Sequence, residues 1–163
     1  KAVQELEKQR EKDILPDGLK PVFAALGLKQ DDLADIQIGS AIYANKPGDG
    51  SAREQAASCQ RVLGGCANIC LEFATKRYRS NCVNWGILPF TVESSLGVSV
   101  GDFIYVPDVR SKVENGDEAF AAKLVSGEKK RDITLYLKNT TAEERELLLT
   151  GCLMNHYAAQ NRE

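Results

Sequence analysis

The chain has 163 residues, of which 43% are hydrophobic and 27% are charged, a composition typical of a soluble globular protein with one domain. This composition excludes a disordered or collagen-like chain, and no apolar run approaches the roughly 20 residues of a transmembrane helix. The 21 basic and 23 acidic residues give a net charge of -2. Because nucleic-acid-binding modules usually carry a basic excess, this charge disfavours DNA or RNA as a partner.

The N-terminal segment predicts a helical extension or a linker. Residues 1–13 are rich in charge and lack the apolar core and cleavage site of a signal peptide, so we expect a solvated helix or a linker. A Pro-Asp-Gly turn at 16–18 ends this segment, and residues 22–28 predict a short apolar helix. We therefore assign residues 1–34 to an N-terminal helical extension or linker and residues 35–163 to the main domain.

The first half of the main domain predicts strands that alternate with helices. Residues 35–44 predict a strand buried on both faces, and residues 67–73 predict a second strand. Helices are predicted at 51–63 and at 74–85, and each is followed by a glycine that stops it. Strands alternating with helices are typical of a mixed α/β domain.

The second half contains a clear strand pattern at 132–138, where apolar and polar side chains alternate and predict a half-buried strand. Before it we expect a polar loop at 110–116 and a helix at 117–125. Thr140 and Glu143 have the spacing of a capping box, and they predict the start of a last helix that runs almost to the end of the chain.

The cysteines and the lone histidine limit the metal and redox chemistry of this chain. Five cysteines, an odd number without the spacing of a disulfide framework, predict a reducing, cytoplasmic setting. Cys66 and Cys70 lie roughly 13 Å apart on a predicted strand, too far to share a tetrahedral ion, so we expect buried structural residues. His156 is expected near the negative pole of a helix end. We therefore expect no metal site and no histidine-based triad in this chain.

The loop at 48–53, Gly-Asp-Gly-Ser-Ala-Arg, is the segment most suggestive of a binding site. Its glycines allow close approach, and the N–H groups at the start of the following helix favour an anion. Arg53 adds a guanidinium suited to a carboxylate, and Ser51 adds a hydroxyl. However, Ser51 and Glu54 also form a capping box, and spacing alone favours capping over ligand binding. No Gly-Lys-Ser or Gly-Lys-Thr follows, so this loop is not a nucleotide P-loop.

Several blocks in a fixed order resemble the C-terminal swivel domain of the aconitase superfamily. In that family a glycine-flanked Ser-Ser-Arg-Glu-His begins a helix that ends in Gly-Gly, and an Asn and a Gly-Leu-Leu-Pro segment follow a strand. The resemblance covers about residues 39–155 and implies an α/β fold, the mixed β/β/α swivel type of the aconitase C-terminal domain and the isopropylmalate dehydratase small subunit. The matching blocks are Gly50–Gln55, Leu63–Gly65, Asn81, Gly86–Phe90 and Gly151–Asn155.

The resemblance implies a hydro-lyase that adds water to, or removes it from, a small polycarboxylic or hydroxy acid. Ser51 matches the family's proposed base and is the expected catalytic residue. Arg53 matches the carboxylate-binding arginine, and Gly50 and Ala52 flank it as expected substrate-binding residues. Ala52 replaces the family's second serine and Gln55 replaces its histidine, so we expect a substrate other than citrate or a divergent subfamily.

The resemblance also implies a 4Fe–4S cluster on partner domains, located in the same polypeptide or in a separate large subunit. In the family this cluster acts as a Lewis acid on the substrate. We assign none of this chain's cysteines to the cluster and expect the chain to be inactive alone. The expected partners are these cluster-bearing aconitase domains and a small carboxylic acid, with no membrane.

Two alternative functions do not require this chain to take part in catalysis. One is a regulatory domain that binds RNA or an anion, and the other is an anion-binding swivel domain without an enzyme partner. RNA binding would need a local rim of basic side chains, and four arginine and lysine residues could form one. Exposure on an ordinary solvated surface is the simpler explanation for these four residues. Those cations are Arg77, Arg79, Arg110 and Lys112.

Overall fold

The computed structural model describes residues 2–160, which form six strands and seven α-helices. The strands are β1 (Ser40–Ala44), β2 (Gly65–Cys70), β3 (Leu88–Thr91), β4 (Phe103–Tyr105), β5 (Ala119–Ser126) and β6 (Lys129–Tyr136). The helices are α1 (Ala2–Arg10), α2 (Lys20–Leu26), α3 (Arg53–Val62), α4 (Lys76–Asn84), α5 (Val109–Asn115), α6 (Ala142–Thr150) and α7 (Leu153–Gln160), with 3-10 turns at Asp17–Leu19 and Gln30–Asp35.

All six strands belong to one mixed sheet in the order β1-β2-β3-β6-β5-β4. The first three strands run parallel, with α3 and α4 as the connections between them. The other three strands pair in antiparallel fashion, and the two halves meet where β3 pairs with β6. The predicted α/β class is therefore confirmed. Among residues 2–160, no helix has both the length and the apolar character needed to cross a bilayer.

The main core lies between the sheet and its helices and spans both halves. At its centre the rings of Phe90 on β3 and Phe120 on β5 meet edge to face, with centroids 5.2 Å apart. On β6 the predicted alternation is confirmed, because the apolar set at 133, 135 and 137 is buried. This shared core fixes the parallel half against the antiparallel half.

The N-terminal segment packs against the antiparallel half through a second apolar cluster. Its helices α1 and α2 agree with the prediction, and Gly27 closes α2 in the left-handed conformation. Buried residues of this segment contact Val125 of β5 and Phe103 of β4; they are Leu19, Val22, Phe23 and Leu33. The boundary between residues 34 and 35 stays a prediction.

The prediction that residues 35–44 form a strand buried on both faces was wrong. β1 is only five residues long and lies at the edge of the sheet, with β2 as its neighbour. Ala41 and Ile42 are exposed. An apolar run therefore marked the strand correctly but could not show that it lies at an edge.

The predictions of a polar loop at 110–116 and a helix at 117–125 were also wrong. Residues 109–115 form α5, which ends at Gly116 in the left-handed conformation. Residues 119–126 form β5, whose alternate side chains at 120, 122 and 124 are buried. A two-residue turn joins β5 to β6, because Ser126 pairs with Lys129, and this hairpin outweighs the helix propensity of the alanines.

The last predicted helix is in fact two helices. The capping box is formed by Thr141 and Glu144, one residue later than predicted. Gly151, with φ +91°, ends α6, and α7 begins at Leu153. His156 lies within α7 rather than at a helix end; it is buried, with its Nδ1 3.5 Å from Glu146 Oε1.

A pair of glycine variants tests the packing between the start of β3 and the α6–α7 joint. Gly86 has φ +65°, and a Cβ there would collide with the backbone carbonyl of Gly151, whereas Gly97 has φ +57° and no neighbour within 4 Å. We expect Gly97→Ala to lower the free energy of unfolding by about 1 kcal/mol, the cost of the left-handed conformation alone. Gly86→Ala should cost about 1–3 kcal/mol more, because the backbone must also shift. Equal losses in urea denaturation would contradict this packing.

Candidate functional site

The candidate site lies at the carboxyl end of the parallel strands, where the loop after β1 meets the connection from β2 to α4. The amides of Leu71 and Glu72 both donate to the carbonyl of Asn45, at 3.1 and 3.2 Å. The amide of Ala74 donates to the carbonyl of Pro47 at 2.9 Å. Backbone hydrogen bonds therefore hold the two loops side by side, as expected for a binding edge of a parallel sheet.

The carbonyl of Gly48 is the point where the two loops and α3 join. It accepts a hydrogen bond from Arg53 Nε at 3.2 Å and another from Thr75 Oγ1 at 3.3 Å. Gly48 has φ +95°, and a Cβ there would collide with the ring of Tyr78. Glycine is required at this position, because the left-handed conformation and the close ring both disfavour any side chain.

Arg53 is the first residue of α3 and is half-buried. Its Nε is bonded to Gly48, whereas its two Nη groups have no hydrogen-bond or ion-pair partner within residues 2–160. A guanidinium that is bonded through Nε can still donate from both Nη groups to a second partner. This geometry suits two parallel hydrogen bonds to a carboxylate.

Ser51 is exposed and does not cap α3, so the capping-box prediction for Ser51 and Glu54 was wrong. The N-cap is Ala52, which has no side-chain acceptor for the first amides of the helix. In the part of the chain that the structure describes, the Ser51 hydroxyl makes no hydrogen bond. The hydroxyl and the helix amides that capping would have used are thus left for a ligand.

Gly50 differs from Gly48, because nothing in the fold requires a glycine there. It is exposed, its φ is not positive, and a Cβ would have no neighbour within 4 Å. Ala52, two residues on, is exposed as well. The structure therefore places all four predicted site residues, Gly50, Ser51, Ala52 and Arg53, on one accessible corner.

A buried polar cluster supports this corner from beneath. Asn68 of β2 donates to Tyr78 OH at 3.1 Å and to Cys82 Sγ at 3.0 Å, and it accepts from Gln60 Nε2 at 2.7 Å. Gln60 lies on α3, whereas Tyr78 and Cys82 lie on α4. The cluster thus ties β2 to both helices, and burial raises the pKa of the Tyr78 phenol and of the Cys82 thiol.

An open cleft of about 250 Å³ adjoins the corner on the side of α7. Its lining includes Glu54, which follows Arg53 in the chain, and Asn81, one of the residues that match the aconitase family. The remaining lining residues are Asn84, Trp85, Cys152, Leu153 and Met154. The cleft makes Asn81 and the Gly151–Asn155 block neighbours in space, although 70 residues separate them in the sequence.

The structure places the five cysteines apart from any metal-binding group among residues 2–160, and it gives two residues of the predicted basic rim a partner in the fold. Among residues 2–160 the five cysteines form no disulfide, and no three His, Cys, Asp or Glu side chains are grouped as a metal site would require. Of the two cysteines predicted to be buried, Cys70 is buried but Cys66 is only partly so. Cys82 is buried as well, whereas Cys59 is exposed. Of the proposed basic rim, Arg79 pairs with Glu144 at 2.8 Å and Arg110 donates to a carbonyl of α6.

Sequence reasoning missed three residues of this site, Thr75, Tyr78 and Asn68. Thr75 caps α4 by accepting from the amide of Tyr78 at 3.2 Å, and a threonine before a helix was an available signal for that role. No sequence pattern predicts its bond to Gly48, which lies 27 residues away.

Comparison with known proteins gives two findings. Residues 25–95 match the family model of the aconitase C-terminal domain, a range that includes the corner, α3, β2 and α4. Aconitate hydratase A of Bradyrhizobium diazoefficiens is 30% identical over 154 residues, which cover 87% of this chain. The chain spans 16% of the length of that curated relative.

The pH dependence of stability tests the buried state of the thiols below the corner. Burial raises the pKa of Cys70 from 9.0 to about 12. Between these values the unfolded chain releases a proton that the folded chain keeps, so the free energy of unfolding falls as the pH rises from 9 towards 12. We expect Cys70→Ala to reduce this decline in urea titrations, whereas the exposed control Cys59→Ala should leave it unchanged. An unaltered decline in Cys70→Ala would contradict the assignment.

Proposed function

Because this chain carries a C-terminal domain of the aconitase superfamily, in the swivel-type α/β fold, we propose that it works as the swivel domain of an aconitase-like hydro-lyase. Its reaction is the hydration or dehydration of a small polycarboxylic or hydroxy acid. The observation that carries the proposal is the pairing, on one accessible corner, of an exposed Ser51 hydroxyl with the outward edge of Arg53.

In this proposal Arg53 binds a carboxylate of the substrate. The bond from Nε to Gly48 fixes the plane of the guanidinium, and the two Nη groups donate to the two carboxylate oxygens. Gly50 lets the substrate approach the backbone, since a side chain there would occupy open space in front of the loop. The uncapped amides of α3 add a favourable electrostatic field for the same negative charge.

Ser51 acts as the base that removes a proton from the substrate carbon. A serine hydroxyl gives up its own proton reluctantly, and it becomes basic enough only where positive groups stabilise the alkoxide. Arg53 and the first amides of α3 are the positive groups at this corner. In dehydration the carbon–hydrogen electrons form the double bond, the proton passes to the Ser51 alkoxide, and the carbon–oxygen bond breaks with loss of hydroxide, which that proton later converts to water. In hydration the hydroxide of water bonds to one carbon and the proton returns from Ser51 to the other.

The residues described here do not fit as ligands of the 4Fe–4S cluster that the family implies. Cys70 and Cys82 are enclosed in the core, and no three suitable side chains come together among residues 2–160. We therefore propose that the cluster is bound by other domains. The five cysteines form no disulfide among residues 2–160, which is consistent with a reducing compartment, and we propose the cytoplasm.

Ala52 and Gln55 bear on the identity of the substrate. Ala52 is exposed beside Arg53 but offers no hydroxyl, so one hydrogen bond expected from the family pattern is missing. The loss of such a bond costs on the order of 1 kcal/mol of binding. We propose that the substrate is not citrate but a carboxylic acid that needs fewer polar contacts at this position.

Two variants of the full-length protein test the proposal. Dehydration of a panel of hydroxy-polycarboxylic acids is followed by the ultraviolet absorbance of the new double bond. We expect Ser51→Ala to lower kcat by about 10²–10⁴-fold, the usual range for loss of a general base. Arg53→Lys should raise KM, because lysine cannot form the bidentate contact.

Matched controls come from the same helix. Ser58 and Arg61 lie on α3 and bond to backbone carbonyls away from the corner. Ser58→Ala and Arg61→Lys should keep kcat and KM within about twofold of the wild type, a change too small to reflect a lost hydrogen bond. Full turnover by Ser51→Ala would remove Ser51 from the base role.

A further inference from the structure

We propose that Thr75 is a positioning residue for Arg53 and acts through the carbonyl of Gly48. The inference rests on the proposed function, in which Arg53 binds the substrate carboxylate. Thr75 belongs to the connection before α4, and its hydroxyl bonds to Gly48 and Tyr78 rather than to Ser51 or Arg53. It is therefore distinct from the residues that bind or react.

The hydrogen bonds of Thr75 have one consistent direction. Its Oγ1 accepts from the amide of Tyr78 at 3.2 Å, since an amide can only donate. The single hydroxyl proton is then donated to the carbonyl of Gly48, 3.3 Å away. Thr75 thus does two things with one hydroxyl: it caps α4, and it holds the loop after β1.

The Gly48 carbonyl transmits this constraint to Arg53. It accepts from Thr75 Oγ1 on one side and from Arg53 Nε on the other. The ring of Tyr78 packs against Gly48 and leaves no room for a Cβ, so the peptide cannot move towards α4. With the carbonyl fixed, the Nε bond restricts the orientations open to the guanidinium, and the two Nη groups stay without a partner among residues 2–160.

Removal of the Thr75 hydroxyl frees the carbonyl to turn. The Nε bond then no longer selects one orientation of Arg53, and the substrate must order the side chain when it binds. A residue that only capped α4 would instead change stability without changing affinity. The two roles can therefore be separated by measuring binding and stability in the same variants.

The structure offers a close control for the capping role. Thr141 caps α6 just as Thr75 caps α4, with its hydroxyl accepting from the amide of Glu144 at 3.2 Å. Thr141 has no bond to the loop after β1. Thr141→Val therefore removes a cap of the same chemistry and leaves the Gly48 carbonyl untouched.

The test is calorimetric titration of the full-length protein with propane-1,2,3-tricarboxylate, a polycarboxylate without a leaving hydroxyl. We expect Thr75→Val to weaken Kd about fivefold, the change that follows from losing one neutral hydrogen bond. Thr75→Ser, which keeps the hydroxyl, and Thr141→Val should each stay within about twofold, less than a lost hydrogen bond would cause. Unchanged affinity in Thr75→Val would overturn the proposal.

A double-mutant cycle shows whether the effect passes through Arg53. On an Arg53→Ala background, Thr75→Val should cause no further loss of affinity, and a persisting fivefold loss would overturn the positioning role. If Arg53→Ala alone leaves affinity unchanged, the proposed carboxylate site itself fails, and the positioning role fails with it.

A second variant covers the case in which Thr75→Val does not fold. Thr75→Asp restores the cap of α4 but has no proton to donate to the Gly48 carbonyl. It should weaken Kd more in the wild type than on the Arg53→Ala background, where only its added charge acts. Equal weakening on both backgrounds would overturn the proposal.

Discussion

The organisation of the corner depends on one backbone carbonyl, that of Gly48. This oxygen accepts from Arg53 on α3 and from Thr75 before α4, so two helices that follow different strands are oriented by the same atom. A side chain at Gly48 would displace the ring of Tyr78 and break this arrangement. In the proposed function, Gly48 is therefore as necessary as Arg53, because its carbonyl holds one edge of the guanidinium while the other edge binds the substrate carboxylate.

The two halves of the sheet are stabilised by different kinds of contact. The parallel half carries the corner, and a hydrogen-bonded cluster around Asn68 ties its strand to α3 and α4. The antiparallel half provides most of the apolar core and the surface on which the N-terminal helices pack. Hydrogen bonds of buried polar groups thus fix both helices to β2 in the parallel half, whereas apolar contacts dominate the other half.

The sequence predicted the fold class correctly and several element boundaries incorrectly, and the ligand site at residues 48–53 stays a prediction. The loop at 48–53 was identified from its glycines and from the resemblance, and all its residues lie together on the surface. Ser51 was expected to cap α3, but α3 begins at Arg53 and its N-cap is Ala52. The spacing of Ser51 and Glu54 alone could not show this start. The helix predicted at 117–125 is replaced by β5, because local propensity does not reveal the hairpin partner. The bond from Thr75 to Gly48 depends on the packing of two distant loops, and no local pattern encodes such a contact.

A crystal structure of the full-length protein with propane-1,2,3-tricarboxylate bound would test the central claim most directly. The account predicts a carboxylate within about 3 Å of both Nη groups of Arg53, the ordinary distance of a charge-assisted hydrogen bond, with Ser51 facing the adjacent carbon. The Nε bond to Gly48 would be retained. A ligand bound elsewhere, or a bound ligand with Arg53 turned away from it, would contradict the account.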